Sequence, residues 1–324
     1  MKTKITMQNI ADKLGTTKVS VSKALGGQPG VSDALRKKIV DTASEMGYAL
    51  PKTDEKKSFL FVVAKRFFLE TEAFYNETFY YLNKICIERG CQLTPVVLNQ
   101  RSEANPTWPI HPDSFDGIFL AGELSDPYIK MLREHPVPTV AVDFYKPYLN
   151  VDYVLIDNFY LGYYATVYLI DKGHTDIGFV GNINQTSSIN DRYFGYLKAL
   201  QNNNLQHQSK WVFPNNDPVT GLYEIDINFP EPLPTAMVCH CDMAAYFLTN
   251  SLKKIGKTVP QDISLISFDN TELSVASDLT SMDINRREIA ETAFYAMEAM
   301  ENVSRRYYVA AQLIERNSVK EKRI

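Results

Sequence analysis

The sequence predicts a small all-α helix-turn-helix domain followed by an α/β domain of two doubly wound parallel-sheet lobes. Three observations carry this. Residues 5–48 hold two short helical patterns around Gly15 and a third that begins after Ser32. From Phe59 onward, apolar runs such as Phe59-Leu60-Phe61-Val62-Val63-Ala64 alternate with segments of helical period. Continuous apolar runs suit parallel strands buried on both faces, and helical segments between them suit crossovers. The alternation continues for more than two hundred residues and breaks near 157–161, which divides it into two lobes.

The N-terminal helices can be justified residue by residue. Thr6 is placed as an N-cap with Asn9 three residues on, ahead of the apolar positions Ile10, Ala11 and Leu14. Gly15 ends that helix, where a left-handed backbone is cheap only for glycine. Thr17 caps the second helix, whose Val21, Ala24 and Leu25 face inward. Lys18, Val19, Ser20, Ser22 and Lys23 are left facing outward. Ser32 caps a third helix with Leu35, Ile39, Ala43 and Met46 on one face, closed by Gly47. A face of lysines, hydroxyls and one valine suits phosphates and base edges, as in a helix that enters the DNA major groove.

Residues 49–57 (Ala-Leu-Pro-Lys-Thr-Asp-Glu-Lys-Lys) lack apolar periodicity and read as a linker. Beyond Phe59–Ala64 the pattern predicts helix over 74–89, strands at 93–98 and 115–120, helix 126–134, and strands 138–142 and 153–156. Helix 159–172 then leads through Gly173-His174 into strand 177–180. Helix 190–203, strand 235–239, helix 243–255, strand 264–268 and helix 286–300 complete the series. Tyr223, Ile225, Ile227 and Phe229 alternate, which suggests extended structure there.

Composition narrows the function. The net charge of −4 hides an asymmetry: residues 1–57 hold eleven Lys/Arg against six Asp/Glu, leaving 23 basic and 32 acidic residues for the rest. A basic head on an acidic body puts contact with a polyanion at the head. No apolar leader and no run of eighteen apolar residues is present, so a cytoplasmic protein that does not enter the membrane is expected. Cys86, Cys91, Cys239 and Cys241 fit reduced thiols better than a disulfide framework. Cys239-His240-Cys241-Asp242 lacks the second ligand pair that a tetrahedral zinc site needs, so no metal is expected. No P-loop, GxGxxG after a strand or GxSxG elbow occurs, so neither a cofactor nor catalysis is expected. His174 reads as a turn or packing residue rather than a base.

The head resembles the DNA-binding domain of the LacI/GalR family of bacterial transcription regulators. The likeness rests on Ile5-Thr6, Ile10-Ala11, Gly15, Val21-Ser22-Lys23, Leu25, Val31-Ser32, Arg36-Lys37-Lys38-Ile39 and Met46-Gly47-Tyr48. The body is similar to that family's effector domain, of periplasmic-binding-protein-like fold, through Phe115-Asp116-Gly117-Ile118, Asp157-Asn158, residues 172–181 (KGHTDIGFVG), Arg192, Gly195-Tyr196, residues 259–270 (VPQDISLISFDN), Leu279-Thr280-Ser281 and residues 313–318 (LIERNS). The resemblance implies residues 1–50 as a DNA-binding domain, 51–58 as an atypical hinge, and 59–324 as an effector-binding and dimerisation domain. Lobe 1 would take about 59–160 and 286–311, and lobe 2 about 161–285 and 312–324.

The resemblance also implies a homodimeric repressor of a palindromic double-stranded DNA operator, with a sugar or related small metabolite as effector. The rivals are the same build answering to a protein partner, and a sugar-binding or sugar-modifying protein with a vestigial head. Candidate DNA contacts are Thr6, Thr17, Lys18, Val19, Ser20, Ser22, Lys23 and Ser32; candidate effector contacts are Phe74, Tyr75, Asp143, Arg192, Asp242 and Asp269. Phe74 and Tyr75 equally suit core or dimer-interface packing.

Five departures bear on specificity and on coupling. Lys23 replaces the family's usual Arg and lacks its bidentate fork. Cys241 precedes Asp242 where an Asn is common, and Ile284 stands where sugar binders often carry a polar group. Residues 211–234 lack the family's amphipathic helix, leaving Trp211 as the remaining candidate for an aromatic wall. No Ala-Arg-x-Leu follows Pro51, and Asp54 and Glu55 would face phosphates, so a standard hinge helix is not expected.

Overall fold

A computed structural model describes residues 6–25, 30–46, 48, 56–69, 73–107, 114–134, 137–146, 148–224, 227–301 and 303–322. The chain divides into two compact units, Met1–Lys56 and Lys57–Ile324. Most of the expected hinge (51–55), together with Gly47 and Ile225, lies outside the described residues.

The first unit is three helices, α1 (Met7–Leu14), α2 (Lys18–Leu25) and α3 (Asp33–Glu45). Thr6 and Asn9 form a reciprocal capping box, and Gly15 closes α1 with φ 62°. Ile10, Ala11, Val21, Ala24, Leu25, Ile39 and Ala43 are the buried core. Arg36 of α3 donates to the carbonyls of Lys23 (3.2 Å) and Ala24 (2.7 Å), satisfying the end of α2.

The second unit holds two six-stranded sheets. Lobe 1 contains β1 (Ser58–Ala64), β2 (Gln92–Leu98), β3 (Gly117–Ala121), β4 (Thr139–Val142), β5 (Asp152–Ile156) and β11 (Arg306–Val309), in the order β11-β5-β4-β3-β1-β2 and parallel throughout. Lobe 2 contains β6 (Ile177–Val180), β7 (Val212–Phe213), β8 (Ala236–Cys239), β9 (Ser264–Phe268), β10 (Thr280–Ile284) and β12 (Ala311–Ile314), in the order β12-β10-β9-β8-β6-β7. Only β12 runs antiparallel, against β10. The helices are α4 (Ala73–Glu88), α5 (Gln100–Ala104), α6 (Asp126–Arg133), α7 (Asn158–Asp171), α8 (Ser187–Asn202), α9 (Asp242–Lys254), α10 (Glu272–Ala276) and α11 (Arg286–Glu298). Among the described residues no helix is long and apolar enough to cross a membrane.

The chain passes between the sheets at 157, 285 and 310, so Ala311 belongs to lobe 2 rather than lobe 1. Strands β10, β11 and β12 carry no continuous apolar run, and the sequence pattern gave no sign of them. The described residues of 214–230 form no regular strand. Their only extended pairing among the described residues is a single antiparallel bridge between Asn216 and Tyr223.

Candidate functional site

A cleft opens between the lobes at the carboxyl ends of their strands, where doubly wound sheets place ligand sites. Asp143 follows β4 and Asp269 follows β9, both with left-handed backbones (φ 62° and 99°). That conformation is costly for a residue other than glycine and recurs at functional sites. Arg192 projects from the second turn of α8, where a Cβ on Gly162 of α7 would strike its carbonyl. The two helices therefore pack backbone to backbone, which fixes the arginine's root. Phe74, Tyr75, Asp143, Arg192 and Asp269 all line this cleft.

Arg192 is buried and largely committed within lobe 2. Its Nε donates to Asn158 Oδ1 (2.8 Å), Nη1 donates to the His240 carbonyl, and the guanidinium lies over the Phe268 ring (4.4 Å). Nη2 stands 3.9 Å from Asp269 Oδ1, at the limit of an ion pair. Burial raises the Asp269 carboxyl pKa, and Arg192 only partly offsets it. Tyr75 donates to Asp143 Oδ2 (2.8 Å). Burial and the Asp143 charge push the phenol's pKa well up, so it remains a donor. Asp143 is 8% exposed and its pKa is raised by burial, against the pull of Arg192. Although the Asn158 amide also favours its charge, Oδ1 receives no hydrogen bond among the described residues.

Two candidates do not belong to the cleft surface. Asp242 is fully buried, and its carboxylate accepts from Ser267 Oγ (2.6 Å), Ser281 Oγ (2.7 Å), Thr271 N (2.7 Å) and Thr271 Oγ1 (3.0 Å). These bonds tie β9, β10 and the start of α10 to α9 and leave nothing for a ligand, so Asp242 is a structural anchor. Trp211 is likewise buried, donating Nε1 to the Pro232 carbonyl (2.8 Å), and forms no wall of the cleft. Phe74 and Tyr75 serve two purposes, packing in the core edge to face (4.9 Å) while lining the cleft.

Sequence reasoning missed the contribution of residues 214–224. They fold into a tight hairpin strap. Asp217 Oδ1 accepts from the amides of Val219 (3.0 Å) and Thr220 (2.7 Å), and Glu224 N bonds the Asn215 carbonyl (2.8 Å). The Asp217-Pro218-Val219-Thr220-Gly221 run was the available signal, since Asp and Gly at this spacing favour a turn. The strap delivers Asn216 and Tyr223 to the cleft. Tyr223 stacks on His240 and Phe247 (6.2 and 5.3 Å), so its hydroxyl rather than its ring face is presented. Burial and Arg192 lower the His240 pKa to about 4, so the ring is neutral. Its Nδ1 faces the Val180 carbonyl (3.2 Å) and must carry the proton, leaving Nε2 as acceptor toward Tyr223 (3.5 Å).

Direct contacts join the lobes around the cleft. Glu123 of lobe 1 accepts from Ser187 at the start of α8, and its other oxygen pairs with Lys146 (2.6 Å). Arg286 donates to Glu77 of α4 (3.0 Å) and to the Asp269 carbonyl.

In the first unit, Thr6, Thr17 and Ser32 cap the three helices through Asn9 N (3.4 Å), Ser20 N (3.1 Å) and Leu35 N (3.4 Å). Ser20 shares a hydroxyl bond with Thr17 (2.9 Å). Lys18, Val19 and Ser22 are exposed, Val19 by 63%. Lys23 is half-buried, its Nζ 3.7 Å from where a Cβ on Gly30 would lie.

Residues 166–319 match the periplasmic binding protein-like domain family. Over 336 aligned residues the chain is 26% identical to the HTH-type transcriptional repressor PurR of Vibrio campbellii, covering 97% of this chain and 98% of that one. Among solved structures it resembles the transcriptional regulator CelR in complex with cellobiose (TM-score 0.68, 22% identity, 97% and 99% coverage). It also resembles the lac repressor dimer bound to operator and an anti-inducer (TM-score 0.70, 16% identity, 98% and 99% coverage).

Proposed function

The chain belongs to the LacI/GalR family of bacterial transcription regulators, and from that premise we propose that it is a cytoplasmic repressor that binds a palindromic operator as a homodimer. A small-molecule effector, a sugar or related metabolite, occupies its cleft. One observation carries this reading: a single chain joins a capped helix-turn-helix with an open Lys18, Val19 and Ser22 face to a cleft built on Arg192, Asp143 and Asp269. The relatives support it, one named a repressor, one solved on its operator as a dimer and one solved with cellobiose. A dimer suits the reading because one such head covers too little DNA for tight specific binding, and two heads match two half-sites. The effector acts by binding one closure state of the lobes better than the other.

The test is selection of bound sequences from a random DNA pool with the full-length protein. An enriched palindrome is expected, with affinity falling steeply as salt rises. Lys18→Ala should relax the base preference. A low-molecular-weight cell extract should change operator affinity for the wild type and not for Arg192→Ala. Equal binding to enriched and random DNA would sink the repressor reading, and an extract without effect would sink the effector.

A further inference from the structure

We propose that the outer face of α7 and α8 is a self-association surface, on which a second copy of this chain docks across a two-fold axis. The contact is additional to the one that joins two chains on an operator, so the full assembly is a tetramer.

Helix α7 has the sequence of a helix covered on every side. It carries no charged residue from Asn158 to Ile170, and the first is Asp171, its last position. A helix that is apolar all round is ordinarily buried all round. Here only one side is: Leu161, Gly162, Ala165, Thr166 and Leu169 are buried, whereas Phe159, Tyr160 and Tyr164 are exposed. Phe194 of α8 joins them, and the four rings are 39% to 56% exposed. Tyr160 and Tyr164 lie parallel (5°, 6.2 Å), which flattens that part of the face. A Cβ on Gly195 would strike the Phe159 carbonyl, so the two helices touch through their backbones and present one rigid platform. Aromatic rings bury about 150–250 Å² each. Four left this exposed offer on the order of a few hundred Å², the size of apolar patch that marks an interaction site.

The charges select a second copy as the occupant. Asp191, Phe194, Lys198 and Gln201 share one row of α8. Asp191 and Lys198 lie about 10 Å apart along the helix axis, on either side of Phe194. Two such rows laid antiparallel set Asp191 of each copy opposite Lys198 of the other, the self-complementarity that a two-fold contact requires. Gly195 packs against the stretch from Phe159 to Tyr163, so the same axis crosses the middle of the ring cluster. Phe159 and Tyr160 of one copy then meet Tyr163 and Tyr164 of the other. Among the described residues Asp191 has no ion-pair partner, and Lys198 reaches only the Gln201 amide oxygen (3.3 Å). Burial and the charge of Asp157, the N-cap of α7, raise the Asp191 pKa, a strain that a lysine from the copy relieves. Arg306 borders the same groove but lies over the Tyr145 ring (6.0 Å). A separate exposed stripe on lobe 1, Tyr80 and Ile87 of α4 with Val97 of β2, remains for the operator-binding dimer.

The experiment is sedimentation velocity of the full-length protein without DNA, over a micromolar concentration series. A tetramer is expected for the wild type and a dimer for Phe194→Asp, whose tetramer should be weakened about tenfold or more. Asp191→Lys and Lys198→Asp each set like charges against one another and should weaken the tetramer by a similar factor. The double exchange restores opposite charges and should return it to within a few-fold of wild type. Thermal melting of each variant checks that it is folded. A wild type no larger than a dimer overturns the proposal and leaves the face to a different partner. A Phe194→Asp protein that stays tetrameric overturns it too, as does a double exchange no better than the single ones. The repressor reading is judged separately, by the operator selection: a tetramer that enriches no palindrome removes that reading and keeps the surface.

Discussion

Glu123 accepts hydrogen bonds from both the amide (3.2 Å) and the hydroxyl (3.1 Å) of Ser187, so a carboxylate of one lobe caps a helix of the other. A charge at a helix N-terminus that also satisfies its donors contributes about 1–2 kcal/mol. Glu123→Ala is therefore expected to lower stability by that order and to widen the lobes. Small-angle scattering and thermal melting read the two effects, and a variant unchanged in both would remove the capping role.

Gly221 reaches the other lobe by a different contact. Its φ is 78°, and a Cβ there would lie 2.6 Å from the Arg66 carbonyl. A left-handed backbone costs roughly 1–2 kcal/mol for an L-residue, and the contact adds a clash. Gly221→Ala should lift the strap from lobe 1 and reduce effector affinity about tenfold or more, leaving effector-free operator binding intact. Calorimetry and gel-shift titration measure these separately. Unaltered effector affinity would mean that the strap position is immaterial.

Asp242→Ala should destabilise the second unit by about 3 kcal/mol or more, because it strands the donors of Ser267, Ser281 and Thr271. Arg192→Ala, at the cleft surface, should instead abolish the effector response first. Urea unfolding of the two variants distinguishes an anchor from a ligand contact. An Asp242→Ala protein with a wild-type midpoint would contradict the anchor.

His240 makes stability depend on pH in a definite direction. Its pKa is lowered to about 4 in the folded protein by burial and Arg192, against about 6.5 in an unfolded chain. The stability tied to its neutral ring is thus present above pH about 6.5 and lost as pH falls toward 4, at ~1.4 kcal/mol per unit. Burial raises Asp269, which acts with the opposite sign. The comparison of wild type with His240→Gln isolates the histidine. The variant should lose less stability between pH 7 and pH 5, and parallel denaturation curves would refute the assignment.

The strands β1, β3, β4, β6, β8 and β9 were legible because burial on both faces demands continuous apolar runs. Strand β10 was not. Its Thr280, Ser281 and Asp283 look like loop chemistry until Ser281 is seen bonded to Asp242, and Thr280 to Ser318 and Arg316. Motif position points Asp143, Arg192 and Asp269 toward a cleft, and the structure sets them along its wall. Asp242 was misjudged for the same reason, since motif position does not reveal that four donors have already consumed a carboxylate. Asn216, Tyr223 and Glu123 left no local signal of their own. Each reaches the cleft through a turn or a partner distant in sequence.

The strap from 214 to 224 hangs between β7 and β8 and contributes to neither sheet. Asn215 and Tyr223 tie it to α9 through the Ala244 carbonyl and the Phe247 ring, but its exposed turn can drift, or be exchanged by a designer, while the two cores go on folding as before. Selectivity in this sensor is separable from architecture: a few positions around Asn216 and Tyr223 could be rewritten to retune what the protein detects, without redrawing how it is built.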